Sequence, residues 1–230
     1  MAVASRVRAL VFDAYGTLVD PLSVRVLAEE LFPGSGAPLS QLWRAKQLEY
    51  TWLRTLMGRY EDFWRITKDA LVFTCRSLQL PCSDEQHEQL MEVYLSLPVF
   101  PEVKGALEKL SVMPLSILSN GAPEMLAAVV AANGMAHFFA NIFSVDSLRL
   151  YKPWPEVYGR AADKLGVASD SIGFISSNYW DIAGASNFGF QTFWLNRSGA
   201  TADELGVSPT AVLRTLGDLS DRLAGPSNRR

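Results

Sequence analysis

The chain has 230 residues, of which 49% are hydrophobic and 20% are charged, and its formal net charge is -3. Such a chain can bury one sizeable core and carry a smaller appended domain. Its 21 Lys and Arg residues are scattered rather than grouped in a basic stripe, so we expect no nucleic-acid partner. No stretch looks able to span a bilayer, and the N-terminal apolar run is too short for a secretory signal, so we expect no membrane association.

The few cysteine and histidine residues give no sequence sign of a disulfide or metal site. Cys75 and Cys82 cannot form a disulfide framework, and we therefore expect a reduced, cytoplasmic protein. His87 and His137 lie outside every motif. Isolated histidines without cysteine or acidic partners are poor evidence for zinc, so we expect both to be structural and no cofactor to be bound.

The distribution of apolar residues predicts a parallel sheet. Residues 9–12 form a continuous apolar run within the predicted strand at residues 7–12, which is typical of a strand buried on both faces. After Pro98, short apolar runs alternate with helical stretches, a rhythm of βαβ units. Further strands are predicted at residues 115–118, 142–145, 172–175 and 192–195.

Between the first and second predicted strands the spacing of apolar residues is helical, with Leu42, Leu48, Trp52 and Leu56 as examples. Residues 83–86 have the form of a capping box that opens the last of these helices. We therefore expect a helical cap at residues 20–97, a catalytic core at residues 1–19 and 98–225, and a disordered tail at residues 226–230.

The predicted fold class is α/β, a doubly wound, Rossmann-like parallel sheet with the cap inserted after the first strand. Such a sheet places reactive groups at the carboxyl ends of its strands, where the strand order reverses. Polar residues follow the predicted strands at those ends: Asp13, Ser119 with Asn120, Asp146, and residues 176–178. The cap would lie over the same crevice.

Four short motifs, in order, carry a resemblance to a known family. Residues 12–18 (Phe-Asp-Ala-Tyr-Gly-Thr-Leu), 119–121 (Ser-Asn-Gly), 152–153 (Lys-Pro) and 176–181 (Ser-Ser-Asn-Tyr-Trp-Asp) resemble the four motifs of the haloacid dehalogenase superfamily. The cap sequence at residues 42–52 is similar to that of the L-2-haloacid dehalogenases in particular. The resemblance covers nearly the whole chain.

Two departures from the phosphatases of this superfamily favour a dehalogenase. Phosphatases have a second Asp two residues after the nucleophile, where this chain has Tyr15, and acidic magnesium ligands where it has Ser176, Ser177 and Asn178. Mg²⁺ needs several oxygen ligands, usually with more than one carboxylate. Phosphoryl transfer relies on that cation, whereas displacement of halide from an sp³ carbon does not.

The resemblance implies a covalent mechanism with short L-2-haloalkanoic acids as substrates. Asp13 would displace halide and form an ester, which water then hydrolyses to a D-2-hydroxy acid with inversion. Asp181 would position or deprotonate that water, Lys152 would keep Asp13 ionised, and Thr17 would brace it. Ser176 and Asn178 would lie beside the nucleophile.

The same resemblance implies a set of substrate contacts and a homodimer formed through the cap. Ser119, Asn120 and the backbone N–H groups near Tyr15 would hold the substrate carboxylate. Ala45 stands where the family has glutamine, which bears on halide preference. The halide would meet Arg44 and Asn178, the pocket would be closed by Phe63 and Trp180, and Tyr15 and Tyr158 would be further active-site residues.

Two other functions remain open from the sequence. One is a magnesium-dependent phosphomonoesterase that retains Asp13 as its nucleophile. The other is a catalytically silent member whose cap serves binding or dimerisation. Taken singly, Asp13 could close a strand, Arg44 could lie on a solvated helix face, and Lys152 could be a surface lysine.

Overall fold

The computed structural model describes residues 7–223. Within them, one six-stranded sheet has the order β3-β2-β1-β4-β5-β6, and every neighbouring pair is parallel. The predicted α/β fold is therefore confirmed. The strands are β1 (Ala9–Phe12), β2 (Leu115–Ser119), β3 (Asn141–Ser144), β4 (Ile172–Ser176), β5 (Gln191–Leu195) and β6 (Ala211–Leu213).

Helices connect the strands, and several of them follow one another between β1 and β2. None of those within the described residues is both long and apolar enough to cross a bilayer. The α-helices are α1 (Arg25–Leu31), α2 (Gly36–Leu56), α3 (Phe63–Ser77), α4 (Asp84–Val93), α5 (Val103–Leu110), α6 (Pro123–Ala132), α7 (Pro155–Leu165), α8 (Tyr179–Phe188) and α9 (Gly217–Leu223).

The sheet follows the apolar runs of the sequence closely. The central strands β1, β2 and β4 are buried at every residue, because helices cover both faces of a parallel sheet. The edge strand β3 is only partly buried. β6 was not predicted, since it has three residues and Val212 in its middle is half exposed. The predicted tail at residues 226–230 lies outside the described residues.

Helices α1 to α4 all lie between β1 and β2, in one excursion of the chain. The chain leaves and returns through adjacent segments, because Val19 pairs antiparallel with Val99 and the Asp20 N–H donates to the Pro98 carbonyl at 2.9 Å. The predicted capping box at Ser83 is present. One hydrogen bond joins this helical segment to the segment that follows β3: Tyr60 Oη donates to Asp146 Oδ1 at 2.6 Å.

The strand order reverses between β1 and β4. From β1 the chain proceeds to β2 and β3 on one side, and then crosses to β4, β5 and β6 on the other. The loops that follow β1 and β4 therefore diverge and open a crevice at the carboxyl end of the sheet. Asp13 follows β1, and residues 177–178 follow β4, so two of the predicted motifs face this crevice.

Candidate active site

The carboxylate of Asp13 is the centre of the site. Its backbone N–H continues the sheet by donating to the Ile175 carbonyl at 2.9 Å, and the residue is 4% exposed. Three side chains surround Oδ2: Asn178 Nδ2 donates at 2.8 Å, Thr17 Oγ1 at 3.1 Å and Ser176 Oγ at 3.4 Å. The first and fourth motifs thus meet on one carboxylate oxygen.

Glycine 16 allows the turn that places these groups together. Gly16 has φ +95°, and a Cβ there would lie 3.2 Å from Ser177 Oγ. A side chain would therefore be strained in this backbone conformation and would also crowd the fourth motif. Thr17 follows directly, and its Oγ1 accepts the Ser177 N–H at 2.9 Å.

Lys152 is completely buried and links two carboxylates. Its Nζ donates to Asp13 Oδ1 at 2.8 Å, to Asp181 Oδ2 at 2.6 Å and to the Leu118 carbonyl at 3.0 Å. An ammonium has three N–H donors, so all are satisfied. Burial alone would lower the pKa of Lys152, but the charges of Asp13 and Asp181 outweigh it and raise the pKa above its ordinary value.

Asp181 lies in the first turn of α8 and is fully buried. Its Oδ1 accepts from Tyr158 Oη at 2.7 Å, while Oδ2 accepts from Lys152. Burial raises the pKa of this carboxyl to about 6, and Asp13 adds to the rise, whereas Lys152 and Tyr158 oppose it. Asp181 is therefore a stronger base than an ordinary aspartate and is still ionised at neutral pH.

Arg44 reaches the site from α2 and is partly buried. Its Nη2 donates to the Tyr15 carbonyl at 3.1 Å, and its Nη1 donates to Gln47 Oε1 at 2.7 Å. Gln47 is buried and is fixed in turn by its bond to Thr67 Oγ1 at 2.7 Å. Sequence reasoning missed Gln47, although a polar residue on the buried face of a helix was a usable sign. Ala45 is exposed.

Aromatic rings form the wall between the turn after β1 and the helical segment. The ring centroid of Tyr15 lies 5.6 Å from that of Phe63 and 6.2 Å from that of Tyr94. Tyr94 was not predicted, and no motif marks it. Burial raises the pKa of Tyr15 well above its ordinary value. Tyr15 Oη is buried and has no hydrogen-bond partner within residues 7–223, so it offers a donor to a bound ligand.

Asn120 provides a second unused donor. Its Oδ1 accepts the Lys152 N–H at 3.0 Å, which fixes the orientation of the amide. Its Nδ2 is buried and unpartnered in the part of the chain that the structure describes. The neighbouring Ser119 is buried, and its Oγ accepts the Gly121 N–H at 3.1 Å. Because buried donors are normally paired, Asn120 Nδ2 and Tyr15 Oη indicate where a ligand binds.

One predicted residue is set apart from the hydrogen-bonded cluster, and one positioning residue was missed. Trp180 packs edge-on against Trp52, with ring centroids 5.5 Å apart, and lines an apolar cavity of about 700 Å³.

Arg197 was not predicted. It donates to the carbonyls of Gly16 and Thr17 at 3.2 and 2.8 Å and so supports the turn that carries the nucleophile.

The arrangement is suited to nucleophilic catalysis by a carboxylate. Asp13 has a countercharge in Lys152 and oriented donors around it. A second carboxylate with a raised pKa, Asp181, lies beside it as a base for a later step. Lys152 Nζ lies between the two carboxylates and contacts one oxygen of each, so it supplies a countercharge to both.

Comparisons with known proteins agree with this geometry. The family model described as haloacid dehalogenase-like hydrolase matches residues 7–189. An (S)-2-haloacid dehalogenase from Pseudomonas putida is 44% identical over 219 residues, covering 94% of this chain and 96% of that protein. Haloacetate dehalogenase H-2 from Moraxella sp. (strain B) is 47% identical over 206 residues, covering 89% and 92%.

A solved structure shares the fold over nearly the full length of both chains. The L-2-haloacid dehalogenase from Xanthobacter autotrophicus, solved with chloropropionic acid covalently bound, has a TM-score of 0.90 and 37% identity and covers 96% of this chain and 100% of that chain. The matched family model spans most of the sequence, including Asp13, Lys152 and Asp181. The chain therefore belongs to the haloacid dehalogenase-like hydrolases.

Proposed function

We propose that the protein hydrolyses short L-2-haloalkanoic acids to D-2-hydroxy acids and halide, without a metal ion. The observation that carries this proposal is the buried Asp13 carboxylate, which is paired with the Lys152 ammonium and has a tyrosine, not an acid, two residues later. The relatives named (S)-2-haloacid dehalogenase, and the solved relative with chloropropionic acid covalently bound, support the same reaction.

In the first step, a carboxylate oxygen of Asp13 attacks the α-carbon of the substrate from the side opposite the halogen. A C–O bond forms while the carbon–halogen bond breaks, and the bonding electrons leave with the halide. Asn178 and Thr17 orient the carboxylate, since both donate to Oδ2. The product of this step is a neutral ester on Asp13, with the configuration of the α-carbon inverted.

In the second step, water attacks the carboxyl carbon of Asp13. Asp181 takes one proton from that water, and the departing alkoxide becomes the hydroxyl group of the product by gaining the other. The raised pKa of Asp181 suits this task because it makes the carboxylate more basic. Lys152 remains within 2.6 Å of Asp181 Oδ2 and holds the base in place. Asp13 is regenerated as a carboxylate, and Asp181 returns to its ionised form by releasing its proton to solvent.

Recognition of the substrate carboxylate is assigned to the two unused donors, Tyr15 Oη and Asn120 Nδ2. Both are neutral, so the substrate gains hydrogen bonds without a second cation competing with Lys152 for Asp13. Arg44 is assigned to the leaving halide, because its guanidinium lies next to the Tyr15 carbonyl and Gln47 fixes its direction. Phe63, whose ring packs against Tyr15, supplies apolar cover, and Trp180 is assigned to the pocket by the family resemblance.

The cap, the dimer and the cellular compartment belong to the same proposal. Residues 20–97 would act as a cap that brings Arg44 and Phe63 over the crevice. Leu56 and Met57, at the end of α2, are 75% and 61% exposed, and such apolar surface favours a homodimer through the cap. Light scattering on the native chain and on Leu56→Asp tests this, with a monomer expected for the variant. A cytoplasmic location agrees with two free cysteines.

The test is halide release, measured by ion chromatography, from L- and D-2-chloropropionate in the presence of EDTA. We expect release from the L-form alone, its complete loss in Asp13→Asn, and its retention in Asp163→Asn, which changes an exposed aspartate on α7. Phosphatase activity that appears with magnesium, together with no halide release, would replace the proposed reaction by phosphoester hydrolysis. Unchanged turnover in Asp13→Asn would exclude the ester mechanism.

A further inference from the structure

A second group of reactive side chains lies away from the active site, in the hairpin between α3 and α4. Cys75 is in the last turns of α3, Cys82 is in the connecting loop, and His87 is in the first turns of α4. One ligand atom from each lies within 4.8 Å of the others. The expectation that His87 has no cysteine partner is therefore wrong, because the loop brings together residues that are 7 and 5 positions apart in the sequence.

Local backbone bonds hold the three residues in this arrangement. The Leu80 N–H donates to the Cys75 carbonyl at 2.9 Å, which turns the chain back at the end of α3. The capping box at Ser83 then fixes the start of α4, and the His87 N–H donates to the Ser83 carbonyl at 2.9 Å. The cluster is thus set by secondary structure and does not depend on a flexible terminus.

One nitrogen of the His87 imidazole has no partner in the part of the chain that the structure describes. This atom, Nε2, is buried. An unpartnered buried imidazole beside two thiols is costly without a ligand.

A cavity of about 820 Å³ opens onto the cluster, and its lining includes Cys75, Cys82 and His87. Asp84 also lines this cavity and precedes His87 by three residues, so both project from the same face of α4. The cavity gives an ion access from solvent and leaves room for water as a fourth ligand, whereas the Asp84 carboxylate does not belong to the group of ligand atoms within 4.8 Å of one another.

We propose that Cys75, Cys82 and His87 bind one Zn²⁺ ion per chain, in a site separate from the catalytic crevice. Two thiolates and an imidazole are ligands for zinc and other borderline or soft transition metals, not for Mg²⁺ or Ca²⁺. Zn–S and Zn–N bonds of about 2.3 and 2.0 Å place tetrahedral ligand atoms roughly 3.5–3.8 Å apart. The ligand atoms, now within 4.8 Å, need to approach by no more than about 1.3 Å.

Binding replaces two S–H protons, so each Zn²⁺ taken up releases two protons to solvent. The ion would join the end of α3 to the start of α4. Its role is to stabilise the hairpin rather than to act in the reaction, since neither Asp13 nor Lys152 belongs to this cluster.

The experiment uses the untagged, full-length protein, kept reduced, and titrates it with Co²⁺ as a spectroscopic probe. We expect thiolate-to-cobalt charge-transfer absorption that saturates at one Co²⁺ per chain and disappears when one equivalent of Zn²⁺ is added. His87→Gln and Cys82→Ser should each weaken binding by at least about 100-fold, the upper end of the loss when only an outer-sphere partner is removed. His137→Gln, at an exposed histidine outside the cluster, should bind normally.

Thermal unfolding with and without Zn²⁺ gives a second readout, because an ion that binds only the folded chain raises the Tm of the protein. Native protein and His137→Gln should show this rise, and His87→Gln should not. Circular dichroism identifies any variant that fails to fold. Absence of the charge-transfer band in reduced native protein would overturn the proposal, and so would full binding by folded Cys82→Ser and His87→Gln.

Discussion

Replacing Lys152 by methionine would test whether this residue is an electrostatic link or only a buried aliphatic chain. Methionine keeps an unbranched apolar side chain but removes the ammonium, which lies 2.8 Å from Asp13 Oδ1 and 2.6 Å from Asp181 Oδ2. All three residues are buried, so two carboxylates would remain without a countercharge. Removing one partner of a buried ion pair costs about 3–5 kcal/mol in the free energy of unfolding, and we expect a loss in that range at pH 8.

The loss should depend on pH in a known direction. In Lys152→Met the two carboxylates repel each other in a buried site, so the folded-state pKa of at least one rises above its unfolded value. Its protonation then favours the folded state, and the variant loses stability as pH rises through that folded-state pKa. The deficit relative to the native protein should therefore be smaller at pH 5 than at pH 8.

The assay is urea unfolding of both proteins at pH 5, 6, 7 and 8, followed by circular dichroism. Lys46→Met is the matched control, because Lys46 forms a surface ion pair with Glu49 at 2.8 Å, and its loss should cost less than about 1 kcal/mol at every pH. A deficit in Lys152→Met that is equal at all four pH values would mean that packing, not charge, is lost. A deficit no larger than that of Lys46→Met would refute the electrostatic reasoning.

Three further predictions concern the reaction. Arg44→Ala should slow halide release in a single turnover by roughly 10²–10³-fold, as for other donors aimed at developing charge, and a near-normal rate would remove Arg44 from the halide site. Tyr158→Phe removes a hydrogen bond that lowers the pKa of Asp181, so the acid limb of the pH–rate profile for ester hydrolysis should move up by about one pH unit. An unchanged acid limb would mean that Asp181 is not the base in that step. In a single turnover in heavy-oxygen water, mass spectrometry should find the label in the peptide that contains Asp13 and none in the hydroxy acid; labelled product would indicate direct attack by water.

The strands could be predicted from the sequence wherever burial on both faces of the sheet determined the residue types. Parallel strands that are buried on both faces are mostly apolar, so β1, β2 and β4 stand out from the helices, although β2 includes the buried Ser116. β6 follows the same rule, but three residues with a half-exposed Val212 do not differ from an apolar loop. Its place at the edge of the sheet is set by pairing with β5, which is a long-range contact.

The candidate site was predictable to the extent that its residues follow strands or form short motifs. Asp13 and Asn178 satisfy both conditions, and the structure places their side-chain atoms 2.8 Å apart. Gln47 and Tyr94 satisfy neither condition. Gln47 is one turn along α2 from Arg44, but its bond to Thr67 depends on how α2 packs on α3. The contact of Tyr94 with Tyr15 likewise joins segments that are distant in the sequence. The cluster around His87 was hidden for the same reason, since a loop and a helix cap together determine it.

The neighbouring exit and return points of the helical excursion have a consequence for how proteins of this kind diversify. Val19 and Val99 pair with each other, so the two ends of the helical segment are held together at the core. This pairing does not depend on how many residues lie between them. Lengthening a loop whose ends are fixed in this way adds little conformational cost. The nucleophile and its base lie outside that stretch, whereas Arg44 lies inside it. Changes in substrate preference can therefore accumulate in one continuous segment of the chain while the reacting groups stay as they are.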